Sequence, residues 1–317
     1  MAAPIPDPLY DPALDEHVPE MERIAAMVAE MQGEPPEEWT DKAITAARAN
    51  FEAYSTHPPE VTDRFTDREI DGPHGPIRLR THVPDGDVRG VVLDWHGGGF
   101  FLGRPEMDDV LNLRLAAATR TVVVSASYRL GPEAPFPAGP DDAEATALWV
   151  LENAAAEWGV PLRAVMGSSA GANIAAGALV RLRDRHDALG AIEAANMIYG
   201  VFDMRGTPSQ YERGIPSFRD LYLPAVERRD RDQVDMSPIF ADLRDMPPAL
   251  FTVGTADYLF DDSLFMAARW HAAGAEAQVA AYPACPHGFN AYPAELARIA
   301  NETMDQWLCG VLDRVES

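Results

Sequence analysis

A serine becomes useful as a nucleophile only where its oxygen stands clear of the backbone, and one stretch of this sequence offers that. It is Ala164-Val165-Met166-Gly167-Ser168-Ser169-Ala170-Gly171. A short apolar run stops at Gly167 and an alanine-rich run begins at Gly171, so Ser169 falls where a strand would reverse into a helix. Side chains at the two glycines would collide with the neighbouring elements, and their absence lets the hydroxyl project from the end of a sheet. An ordinary glycine-capped turn reads the same way. The pattern gains its meaning from what accompanies it.

His96-Gly97-Gly98-Gly99-Phe100 follows an apolar run that ends at Trp95. Three glycines after a strand leave backbone N–H groups uncovered, as an oxyanion hole for acyl transfer requires, with the N–H of Ala170 completing it. His96 reads as structural, its side chain holding that loop. A serine also needs a base. Of eight histidines, His287 in Pro286-His287-Gly288-Phe289 follows the last predicted strand. Loops at strand ends of an open α/β sheet gather along one edge, so His287 shares that edge with Ser169. A carboxylate must then orient the imidazole. Chain order places it between Ser169 and His287. Asp257, in Gly254-Thr255-Ala256-Asp257-Tyr258-Leu259, follows the penultimate predicted strand. Asp203 also follows a strand, and Asp261 and Asp262 stand nearby at a helix start, where N-capping accounts for them.

The elements that must position these groups are legible from hydrophobic periodicity. Residues 1–11 read as an irregular lead. Helices are expected over 15–32, ended by Gly33 and Pro35-Pro36, and over 37–54. Strands over 61–70 and 77–83 flank the turn-rich Asp71-Gly72-Pro73-His74-Gly75-Pro76, suited to a hairpin. Further strands are expected at 88–95, 121–126, up to Met166, and at 192–201, 249–253 and 278–282. Helices are expected at 107–119, 141–158, 170–185, 261–273 and 293–315. Strand and helix alternating in this way give a mostly parallel sheet covered on both faces. The stretch 203–235 is too long for a βα connection, and Tyr211, Phe218, Tyr222 and Leu223 give it something to bury. It reads as an ordered cap.

HGGGF, GSSAG, GTADYLFDD and the HGF loop, in this order, resemble the hormone-sensitive-lipase-like (family IV) esterases of the α/β-hydrolase superfamily. Tyr128-Arg129-Leu130-Gly131-Pro132-Glu133 with Pro135-Phe136-Pro137-Ala138, Ser237-Pro238, and Pro247-Pro248-Ala249 extend the likeness from about residue 70 to the C-terminus. The resemblance implies an eight-stranded α/β-hydrolase fold and a triad of Ser169, Asp257 and His287. It implies an oxyanion hole from Gly97, Gly98 and Ala170, with Gly99 the alternative to Gly97. It also implies residues 1–60 as N-terminal helices contributing to a cap, and 61–317 as the catalytic domain carrying the insertion at 203–235. Short- to medium-chain carboxylic esters are the implied substrates, cleaved through an acyl-enzyme with no cofactor or metal. Related hydrolysis of lactones, amides or carbamates uses the same groups. A receptor without catalysis is the reading from another class, and the matching histidine speaks against it. Phe100, Phe101, Tyr199, Phe202, Tyr222 and Phe289 are candidates to line an apolar pocket, although core packing accounts for some of them equally well. The chain departs from the family at Ser127, Ser168 and Ala172. A homodimer paired through the edge strand near Val279 is compatible with the resemblance, and no residue demands it.

Composition sets outer bounds. A chain of 317 residues can bury a large core without disulfide or metal. The net charge of −24, with Lys42 the only lysine, argues against nucleic acid or anionic lipid as partners. Two cysteines, Cys285 and Cys309, read as reduced thiols. The acidic, proline-rich start is unlike a signal peptide, and no run reaches the ~18 apolar residues of a membrane span, so a cytoplasmic protein is expected.

Overall fold

The computed structural model describes residues 9–32, 36–54, 57–214 and 217–316. Eight strands form one sheet: β1 (Thr66–Gly72), β2 (Gly75–His82), β3 (Val91–Trp95), β4 (Val122–Ala126), β5 (Leu162–Ser168), β6 (Ala194–Ile198), β7 (Ala249–Gly254) and β8 (Ala277–Tyr282). Their order is β1-β2-β4-β3-β5-β6-β7-β8. The β1–β2 hairpin and the β2–β4 pair are antiparallel, and every pairing from β4 to β8 is parallel. Around it lie α1 (Val18–Gln32), α2 (Asp41–Tyr54), α3 (Pro59–Thr62), α4 (Asp109–Thr119), α5 (Ala138–Trp158), α6 (Ala170–His186), α7 (Pro208–Arg213), α8 (Arg219–Tyr222), α9 (Phe260–Ala272) and α10 (Glu295–Glu316).

The central strands are apolar without alternation because both of their faces are covered. Every residue of β3 and β4 is buried. On one face, Leu93 and Trp95 join Val150 of α5, Leu179 of α6 and Trp270 of α9. On the other, Val92 and Met166 join Leu115 of α4 and Leu308 of α10, and Met21 brings α1 into the same layer. Helix α1 is thus docked on the body, where Glu20 also accepts from the Glu295 amide at 2.9 Å.

Two sequence-derived boundaries move. Val61 belongs to the turn of helix α3 and the first strand starts only at Thr66. Pro58 and Pro59 pre-set the φ of a helical start, and the Asp63 amide closes that turn on Pro59. The second helix begins at Asp41, where the Thr40 hydroxyl accepts from the Ala43 amide at 3.3 Å. Gly33 and Pro35, read as the end of α1, lie outside the described residues, as does most of the irregular lead. The stretch 203–235 holds α7, α8 and a short 3-10 turn, Arg228–Asp230.

Candidate active site

Neither glycine of the elbow has room for a side chain. A Cβ on Gly167 would lie 2.3 Å from the Gly171 carbonyl oxygen, and one on Gly171 would lie 1.9 Å from the Trp95 oxygen. Only bare backbone lets β5 turn into α6 this close to β3. Between them Ser169 takes φ +54°, ψ −115°, which L residues rarely adopt, and its amide donates to the Ile198 oxygen at 2.8 Å. The surrounding packing over-determines that bend.

The other end of the sheet edge brings the partners. Gly254 closes β7 with no room for a side chain, since a Cβ there would lie 2.0 Å from the Cys285 oxygen. That contact draws the loop after β8 onto the loop after β7. Ala256 donates to the Cys285 oxygen at 3.1 Å and Ala284 to the Thr255 hydroxyl at 2.9 Å. As a result His287 Nδ1 lies 2.9 and 3.0 Å from the two Asp257 oxygens, and its Nε2 lies 2.9 Å from Ser169 Oγ. A carboxylate can only accept, so Nδ1 carries the proton and Nε2 presents its lone pair to the serine hydroxyl. Asp257 is fully buried and accepts a further bond from the Leu259 amide at 2.8 Å. Tyr199 and Tyr258 flank the imidazole, with ring centroids 4.9 and 4.8 Å away.

The glycine loop lies beside the serine. A Cβ on Gly97 would stand 3.5 Å from Ser169 Cβ. Gly98 and Gly99 hold φ of +119° and +61°, and Phe100 follows at +65°. Among the described residues, the N–H groups of Gly97, Gly98 and Gly99 meet no acceptor. Ala170 opens α6, so its N–H has no preceding turn to bond. His96 donates from Nδ1 to the Gly97 oxygen at 2.7 Å and stacks on Tyr128, whose hydroxyl donates to the His96 oxygen at 2.9 Å. Burial pushes its imidazole down to about 4, so it stays neutral.

This geometry has counterparts in known proteins. A family model described as an alpha/beta hydrolase fold matches residues 92–291. The chain belongs to that α/β-hydrolase family. The chain is 33% identical over 266 residues to the carboxylesterase NlhH of Mycobacterium tuberculosis, covering 78% of this chain and 82% of that one. It is 32% identical over 276 residues to the esterase LipI of the same organism, covering 80% and 83%. A hyperthermophilic esterase from the archaeon Pyrobaculum calidifontis superposes with a TM-score of 0.78 at 31% identity, over 95% of this chain and 98% of that one. The expected fold and the hormone-sensitive-lipase-like likeness are borne out.

Within this α/β hydrolase the rival acids have other work. Asp262 does not cap its helix. Fully buried, it accepts from the Phe202 and Asp203 amides at 2.7 and 2.9 Å, from the Thr207 hydroxyl at 2.8 Å and from Gln210 Nε2 at 2.5 Å. Asp261 accepts from the Ser209 amide at 2.8 Å. Both therefore tie the 203–235 stretch to α9. Asp203 accepts from its neighbour Arg205. Behind the elbow, Asp94 accepts from Ser125 at 2.8 Å and Asn112 at 3.3 Å.

The aromatic candidates divide. Tyr199 touches His287, and Phe101 lies 4.9 Å from Trp39 and 5.2 Å from Phe218. Phe100 stacks on Tyr222 at 4.3 Å, Phe202 packs on Phe251, and Phe289 packs on Tyr282; all six candidates are buried, so ring contacts and not burial divide them. Sequence reasoning passed over Tyr258, Trp39, Arg48, Phe218 as a pocket neighbour, and Arg213. Arg213 Nη2 donates to the Thr255 carbonyl oxygen at 3.1 Å, and its Nη1 donates to the backbone carbonyl oxygen of Asp257. No motif marks any of these. The adjacency of Tyr258 to the candidate acid was the one available signal.

Proposed function

We propose that this chain is a serine carboxylesterase in which Ser169 is the nucleophile, His287 the general base and Asp257 the orienting acid. The observation that carries the reading is the unbroken relay from the Ser169 hydroxyl through both imidazole nitrogens to a buried carboxylate. As Ser169 attacks the ester carbonyl, His287 takes its proton, and Asp257 stabilises the imidazolium. The N–H groups of Gly97, Gly98 and Ala170 receive the developing oxyanion, with Gly99 the alternative to Gly97. His287 then protonates the leaving alkoxide, which departs as alcohol. Water, deprotonated by the same nitrogen, releases the acid and restores the serine.

Short- to medium-chain esters fit a mouth crowded by aromatic rings. Phe218 reaches the glycine loop itself, because a Cβ on Gly99 would lie 2.6 Å from its Cε2. We assign the cap to α2 and the 203–235 stretch, joined where Trp39, just ahead of α2, donates to Ser217 Oγ at 2.9 Å and packs on Phe218. Of the six aromatic candidates, Tyr199 and Phe101 are the pocket residues best placed for contact with substrate. Both cysteines are free, in keeping with a cytoplasmic setting, and among the described residues no helix is long and apolar enough to cross a membrane. The edge position of β8 suits pairing of two copies, which light scattering would detect.

The test is Ser169→Ala. Hydrolysis of p-nitrophenyl butyrate and labelling by an organophosphate should both vanish while the circular dichroism spectrum stays unchanged. Retained turnover would refute the assignment.

A further inference from the structure

The glycine loop is held from outside the region that the family model covers. Arg48, in α2, reaches across to two loops at once. Its Nε donates to the Phe101 oxygen at 3.0 Å and its Nη2 to the Gly131 oxygen at 2.9 Å. The same guanidinium grips Glu133 with both terminal nitrogens, at 2.7 and 2.8 Å. Gly131 in turn donates to the Phe100 oxygen at 2.8 Å. One planar fork thus joins the loop after β3 to the loop after β4, at the two residues that follow the glycines. Its pairing with Glu133 holds that carboxyl down to about 2, so the fork faces an anion at working pH.

This arrangement matters because the loop's own bonds leave the carbonyls of Phe100 and Phe101 to donors from outside it. Three glycines carry the largest conformational freedom of any residues, and Gly98, Gly99 and Phe100 all sit at positive φ. The loop's own bonds are the amides of Phe101 and Leu102 returning to the Gly98 oxygen, at 3.2 and 2.9 Å, and His96 Nδ1 donating to the Gly97 oxygen at 2.7 Å. They close the turn and tether its start, and the Phe100 and Phe101 carbonyls are held from outside. Donors stabilise an oxyanion only when they already point at the place where charge develops. Arg48 supplies bonds that no lysine could reproduce, since a single ammonium lacks the planar fork that spans two carbonyls and a carboxylate.

We infer that Arg48 is a positioning residue for the oxyanion hole, locking the Gly97–Phe101 loop through the Phe101 and Gly131 carbonyls. The inference rests on the esterase reading above and would fail separately from it. The N-terminal segment then contributes to the rate of the chemical step as well as to closing over the site.

Three variants of the full-length chain test this: Arg48→Ala, Arg48→Lys and Glu133→Gln. For each, kcat and KM on p-nitrophenyl butyrate are measured with the inhibition constant of a trifluoromethyl ketone, whose hydrated or serine-bound oxygen seeks the hole. Arg48→Ala should lower kcat by ~10- to 100-fold, less than the ~10²–10³ lost with a donor itself, and leave KM within about 3-fold. The inhibition constant should rise in step with the loss in kcat. Arg48→Lys should recover only a minor part. Glu133→Gln, which keeps the carbonyl contacts and weakens the anchor, should lower kcat by roughly 3- to 10-fold, again with the inhibitor following. A merely structural tie would move the melting temperature while kcat and inhibitor binding stay at wild-type values, and that result overturns the inference. So does a change confined to KM. If Arg48→Ala does not fold, wild-type kcat and inhibitor binding in Glu133→Gln overturn it instead. Turnover persisting in Ser169→Ala, by contrast, would remove the underlying reading.

Discussion

At the residue scale, the candidate chemistry turns on a single proton position. Because the Asp257 carboxylate accepts at His287 Nδ1, the lone pair of Nε2 is committed to the Ser169 hydroxyl. Asp257→Asn keeps the volume but can donate an N–H to Nδ1, stabilising the wrong tautomer. The expected loss in kcat is about 10⁴-fold with little change in fold, measured by steady-state hydrolysis and circular dichroism. These three candidates were legible in the sequence because each stands in the turn or loop that follows a strand, within three residues of a glycine, so that a short string announces it. Asp262 was misread as a cap because its partners, Thr207 and Gln210, lie more than fifty positions away. Arg48 was invisible for the same reason. A long side chain that acts by reaching across the fold leaves no local pattern.

At the scale of elements, the sharp reversal between β5 and α6 depends on two missing side chains. Gly171→Ala would drive a methyl to 1.9 Å from the Trp95 oxygen, a contact with backbone that cannot swing aside. The helix must shift away from β3, and the cost should reach about 3 kcal/mol or more, read from urea unfolding midpoints. Gly177→Ala, in the same helix where a Cβ meets nothing within 4 Å, is the matched control and should be neutral or stabilising. The buried strands were easily read because a sheet covered on both faces leaves continuous apolar runs. The start of β1 was not, because Val61 and Phe65 extend the spaced apolar positions leading to Ile70, while two prolines set a helical turn ahead of them. Periodicity records burial, and φ is fixed by residues that periodicity ignores.

At the scale of the whole molecule, charge and burial act together on stability. Asp94 and Asp262 are enclosed, and burial raises both to about 6, although neighbouring donors pull the other way. Between pH ~4 and 6 the folded chain keeps protons that the unfolded chain, titrating near 3.9, has released. Their stabilisation is therefore full below about pH 4 and is lost as pH rises through about 6. The melting temperature should be lower at pH 7.5 than at pH 5, and because burial also raises Asp305 to about 6 and Asp108 upward, Asp262→Asn should remove only part of the slope. A net charge of −24 also resists compaction, so added sodium chloride at pH 7.5 should raise the melting temperature. Screening should erase that part of the pH effect while leaving the buried carboxyls' share. How the lead into α2 and the 203–235 stretch meet, through Trp39 and Ser217, was not legible at all, since contacts 178 positions apart obey no local rule. The bend at Ser169 carries a last consequence for the molecule as a whole. Alanine there inherits the awkward φ of +54° and gains nothing, whereas glycine relaxes into it at no steric cost. Of two inert proteins, the one with glycine at 169 should outlast the one with alanine on heating, inverting the customary ranking of those residues. Its extra endurance would gauge how much robustness the native chain forgoes to keep one hydroxyl aimed outward.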